Sequence, residues 1–119
     1  MFEVLRELNI TENEVREMVS NTTIHARERQ NRFDKVDFEN LEVFRSFEVN
    51  TGHKNGTEIH VITWDADILI FNSKTKKAVT VLKARPHQVI RYCERFGIWV
   101  PDSILENARD NIARGWNEI

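Results

Sequence analysis

The sequence predicts an α+β domain in which N-terminal helices pack on a four-stranded antiparallel meander and two further helices follow. Three observations predict it. Residues 41–84 carry closely spaced runs of β-branched and apolar residues separated by turn signals. Residues 11–33 and 86–116 show helical spacing and cap signatures instead. The links between the strand runs are too short to hold a crossover helix, so neighbouring strands must run antiparallel.

The elements follow in order. Thr11-Glu12-Asn13-Glu14 has the form of a capping box, in which a hydroxyl and a Glu three residues later satisfy free backbone N–H groups. A helix is expected beyond it, through Val15, Met18 and Val19. Ser20-Asn21-Thr22-Thr23 breaks that helix and caps a second, more polar one over about Thr23 to Phe33, anchored by Ile24, Ala26 and Phe33. Leu41 to Val49 is the first expected strand. Gly52-His53-Lys54-Asn55-Gly56 contains Asn-Gly, a strong hairpin turn. Glu58 to Trp64 alternates and is rich in β-branched residues. Asp65-Ala66-Asp67 turns the chain into Ile68-Leu69-Ile70-Phe71, a continuous apolar run expected to be buried on both faces. Asn72 to Lys77 turns it again into Ala78 to Ala84. Pro86 suits a first helical turn, and Val89, Ile90, Cys93 and Phe96 then recur at helical spacing up to Gly97. Pro101-Asp102 opens the last helix, with Ile104, Leu105, Ala108, Ile112 and Trp116 on one face.

The chain has 119 residues, 40% hydrophobic and 30% charged, which is room for one domain spanning residues 1–119 and one core. Cys93 is the only cysteine, so no internal disulfide forms, and a lone thiol fits a reducing compartment. Met1 to Leu8 is acidic, its apolar residues interrupted by Glu3, Arg6 and Glu7, and does not read as a signal peptide, and no apolar run reaches membrane-span length. The expected location is therefore the cytoplasm, with no membrane partner.

Net charge is −2, so phosphate can be held only by a local basic patch. The charges are segregated. Glu3, Glu7, Glu12, Glu14 and Glu17 face only Arg6 and Arg16 in the first twenty residues. Lys74, Lys76, Lys77, Lys83, Arg85, Arg91 and Arg95 are interrupted only by Glu94.

Two constellations could carry chemistry. On a helix, His25, Arg29 and Arg32 share one face, and neighbouring cations would lower the His25 pKa and keep a base available. A solvated polar helix is the plain alternative. The second constellation is the end of the fourth expected strand. There Val79, Val81 and Lys83 share a face opposite Thr80 and Leu82, and Arg85 and His87 lead into the next helix. Basic groups at a strand end and helix start suit a phosphate. The plain alternative is that Lys83 and Arg85 blunt an apolar strand. The four His and one Cys show no metal-ligand spacing, no Gly-rich phosphate loop is present, and no serine sits in a nucleophile motif. Neither metal nor cofactor is expected.

A His-x-x-x-Arg helix, a His-Val-x-Thr strand (His60 to Thr63, followed by Trp64), a hairpin, and a strand ending Thr-Val-Leu-x-Ala-Arg (Thr80 to Arg85) before a basic helix resemble the barnase/RelE-like small endoribonucleases of toxin and phage type. The resemblance covers about residues 20 to 95. It implies metal-free RNA transesterification, with His25 as base or acid, Arg29 and Arg85 at the phosphate, Thr80 donating a hydrogen bond, and Arg32, Lys83, His87 and Arg91 binding RNA. His60 is a second titratable candidate, placed by alternation opposite Ile59 and Val61 and expected toward the outer surface. Two other readings stand beside this one. One is a non-catalytic phage- or mobile-element-encoded protein that docks on a protein or nucleoprotein partner, such as an antitoxin or host target. The other is a homodimer formed through the C-terminal helix and Trp116.

Overall fold

The structure is a computed structural model that describes residues 2–23, 27–52 and 56–115. His25, Ile24, Ala26, the His53-Lys54-Asn55 part of the hairpin and Trp116 lie outside the described residues.

The chain enters on a strand, and the sheet has five strands rather than four. Strand β1 (Glu3–Leu8) is followed by helices α1 (Glu12–Ser20) and α2 (Arg27–Asp34). Then come β2 (Val43–Asn50), β3 (Thr57–Thr63), β4 (Asp67–Asn72) and β5 (Ala78–Lys83), and finally α3 (Pro86–Glu94) and α4 (Asp102–Ala113). The sheet order is β1-β2-β3-β4-β5, antiparallel throughout. β1 owes its conformation to its partner: Val4 pairs with Val49 and Leu8 with Ser46, with a bulge between Val4 and Arg6. A Glu- and Leu-rich hexapeptide has no strand propensity of its own, so tertiary pairing decides.

The expected capping box is present. Thr11 Oγ1 accepts from the Glu14 amide at 3.2 Å, and Glu14 Oε1 accepts from the Thr11 amide at 3.0 Å. After α3, Gly97 takes φ 65°, and the Ile98 amide donates to Cys93 O at 3.0 Å. That six-to-one bond closes the helix end and needs a left-handed residue, which glycine supplies without strain.

Both faces of the sheet are covered, giving three layers. Val15 of α1 and Phe33 of α2 pack with Val36 and Leu41 over Ile59, Val61, Leu69, Phe71 and Val81. Val89, Tyr92 and Cys93 of α3 and Ile104 and Ala108 of α4 pack over Phe47, Val49, Ile62, Ile68 and Ile70. The run from Ile68 to Phe71 is buried throughout, as a strand covered on both faces requires. β5 departs from simple alternation: its pairing shifts where Phe71 meets Ala78, and Val79 joins the α3/α4 layer while Val81 joins the α1/α2 layer. The expectation that Val79 and Val81 share a face is corrected by this bulge.

A polar spine crosses one end of the sheet. Asp67, expected in a turn, opens β4 fully buried, with Oδ1 at 2.7 Å from Lys83 Nζ. Lys83 also donates to Lys35 O at 2.8 Å. Buried Asn111 of α4 donates to Ala66 O at 3.3 Å and Ala84 O at 3.0 Å. Burial pushes the Asp67 carboxyl above its usual range, and the Lys83 charge pulls it back. Among the described residues no helix is long and apolar enough to cross a membrane.

Candidate functional site

The residues singled out from the sequence are only partly brought together. α2 lies against β5, and Arg32 Nη1 donates to Thr80 Oγ1 at 3.0 Å. Thr80 is therefore an acceptor for an internal arginine. Arg29 is exposed on α2. Lys83 is turned inward onto Asp67 rather than outward to a ligand, because its strand position is fixed by the Asp67 register. Arg85, at the cap of α3, is exposed, and its amide donates to Gln88 Oε1 at 2.8 Å. His87 and Arg91 are exposed one helical turn apart on α3.

A different cluster forms around His60. Alternation placed its face correctly, but α3 covers that face, so His60 is only 3% exposed rather than at the outer surface. Nε2 is 3.0 Å from Glu58 Oε1 and Nδ1 is 2.6 Å from the Tyr92 hydroxyl. An ionised carboxylate only accepts, so Nε2 carries the proton and Nδ1 accepts from Tyr92. The result is a directed chain from phenol to imidazole to carboxylate. Glu58 and His60 share a face because they are two apart on β3, and Glu58 reaches the rim with 21% of its side chain exposed. Tyr92 is held by stacking on Phe47, with ring centroids 5.6 Å apart.

Phe2 ties this chain to the basic helix. Its ring meets Tyr92 edge-on at 5.2 Å and lies 6.0 Å from His60, and the Arg91 guanidinium sits 4.3 Å above it. Arg95, one turn on, donates to Val4 O at 3.0 Å. Phe2, Glu3, Val4, Arg91 and Arg95 line an open depression of about 370 Å3. His87, Arg91 and Arg95 recur every fourth residue and form a basic ridge along α3. The charges of Arg91 and Glu58 both reach the Tyr92 phenol, although its burial dominates and drives its pKa well above the ordinary value.

Burial likewise lowers the His60 pKa, against the opposing pull of Glu58. The unfolded chain therefore binds a proton that the folded chain refuses. Stability is fully present above the unfolded value of about 6.5 and is lost as pH falls below it, with a slope of up to about 1.4 kcal/mol per pH unit. Urea midpoints should fall between pH 7.5 and 5.5, and His60→Gln should flatten that slope. An unchanged slope in the variant would assign the titration elsewhere.

Glu58 and Tyr92 are functional candidates that the sequence reading passed over. The Glu-x-His spacing on a strand was a usable signal for Glu58, whereas Tyr92 joins only through the packing of α3. Among the described residues no group of three His, Cys, Asp or Glu side chains is placed to hold a metal ion. Comparison of the chain with protein-family profiles, characterised proteins and solved structures finds no match.

Proposed function

We propose that this chain is an RNA-binding domain that cleaves RNA by transesterification, in the manner of the barnase/RelE-like endoribonucleases. The observation that carries the reading is the Glu58–His60–Tyr92 chain beside the His87–Arg91–Arg95 ridge. Glu58, at the rim, is the base for the ribose 2′-hydroxyl, whose oxygen displaces the 5′-oxygen from phosphorus while that leaving oxygen takes a proton from solvent water. His60 and Tyr92 orient it and keep its carboxylate hydrogen-bonded. Arg91 meets the phosphate, and Arg85 and His87 extend the electrostatic track along the strand. A carboxylate and a guanidinium supply a base and phosphorane stabilisation without a metal.

The test is cleavage of an RNA oligonucleotide in EDTA, read by product ends. The expected products carry 2′,3′-cyclic phosphate and 5′-hydroxyl ends. Glu58→Gln should lower the rate by about 10²–10⁴-fold, and Arg91→Ala should weaken RNA binding and reduce its salt dependence. His25→Ala is the comparison: cleavage that survives it but not Glu58→Gln assigns the chemistry to β3. Wild-type rates in Glu58→Gln would remove the proposed base.

A non-catalytic partner-binding protein is the second reading. It is favoured by Trp99, 83% exposed between α3 and α4, with Ile90 also exposed on α3 and Phe96 exposed just beyond its end. Exposed aromatics of this kind anchor protein interfaces. Co-purification of a nuclease-resistant protein partner lost in Trp99→Ala, together with no RNA turnover, would favour this reading over the first.

A further inference from the structure

Ile59 and His60 are neighbours in β3 and face opposite layers. On the Ile59 side, away from the chain just described, a cleft of about 440 Å3 opens between the end of α1 and the β4–β5 turn. Its floor is apolar, made by Ile10, Met18 and Ile59. One wall carries the α1 carboxylates, of which Glu17 faces the cleft one turn after Glu14. The other wall carries Lys76 and Lys77.

The two walls are held apart and held in place. Thr22 Oγ1 donates to Met18 O at 2.8 Å and accepts from the Ala78 amide at 2.8 Å, which staples the end of α1 to the start of β5. Asn72 fixes the opposite wall: its Oδ1 accepts from the Lys74 and Thr75 amides, and its carbonyl accepts from the Lys76 amide at 2.8 Å. Among the described residues, no ion pair joins these glutamates to these lysines. An apolar trough therefore separates a negative wall from a positive one. Its volume is that of a small-ligand pocket, too small for a folded partner.

We infer that this cleft binds a short peptide with free ends. The ammonium would face Glu17, the carboxylate would face Lys76 and Lys77, and an apolar side chain would rest on Ile10 and Met18. A nucleotide matches less well, since its only charge is anionic and it brings no cation to the α1 wall.

The experiment is a 15N NMR titration of the full chain with Leu-Leu, repeated with the N-acetylated, C-amidated dipeptide and with AMP. Free Leu-Leu should give saturable shifts confined to Glu17, Met18, Lys76 and Lys77 and their neighbours. Glu17→Gln and Lys77→Gln should each weaken binding about tenfold, as loss of one charge-assisted contact implies. Both changes are at exposed positions, and the spectrum itself reports that the fold persists. Equal binding of the blocked dipeptide or of AMP, or no saturable shift with Leu-Leu, would overturn the assignment. These outcomes are independent of RNA cleavage.

Discussion

Lys83→Met should destabilise the folded chain by about 3–5 kcal/mol, the range for removing one partner of a buried ion pair. The Asp67 and Lys83 side chains are 2% and 9% exposed, so neither is solvated enough to stand alone. Removing the ammonium leaves the Asp67 carboxyl with Thr63, whose Oγ1 is 3.4 Å from Oδ2 and accepts from the Asp67 amide at 3.1 Å. It also deprives the Lys35 carbonyl of its donor. Chemical denaturation gives the loss directly. The paired change Asp67→Asn with Lys83→Met should recover much of it, because a neutral pair carries no uncompensated charge. A loss below about 1 kcal/mol for the single variant would mean that the pair is as weak as an exposed one.

Phe47→Ala should cost about 3–5 kcal/mol as well, through lost burial and the cavity left behind. Phe47 is fully buried on β2, stacks on Tyr92 at 5.6 Å and stacks on Phe96 at 5.8 Å. It is one of the contacts through which α3 is seated on the sheet. The variant should therefore also loosen the Tyr92 hydroxyl from His60, a change visible in the His60 ring resonances. Phe47→Leu keeps most of the volume and should cost less, while still removing the stacking. A thermal shift equal for Ala and Leu would point to lost stacking rather than to the cavity.

The meander was legible because its strands carry their own signals. Ile68 to Phe71 announces a doubly covered strand, and Thr11 with Glu14 announces a helix start. β1 was not legible, since Glu3 to Leu8 becomes a strand only when β2 is beside it. The layering was also hidden. Nothing local says that α1 and α2 take one face and α3 and α4 the other, and that division turns His60 from a surface residue into a buried one. Lys83 shows the same limit: its strand was readable, but its partner Asp67 opens the neighbouring strand β4 and is found only through the register of β4 and β5. The basic character of α3 could be read directly, because spacing alone puts His87, Arg91 and Arg95 in line.

The two outer strands carry features that bear on how the chain behaves when crowded. β1 is kinked by its bulge and bears Glu3, Arg6 and Glu7 along a single short strand. β5 has its first amide capped by Thr22 and ends on a lysine locked inward. A row of open backbone groups at a sheet edge invites a neighbouring molecule to add a strand, and kinks, charges and covered amides oppose that. The apolar β-rich segments from Ile59 to Phe71 lie in the interior strands, shielded on either side. An apolar, β-rich stretch of the kind that can form fibrils is thus one the topology keeps off both free edges.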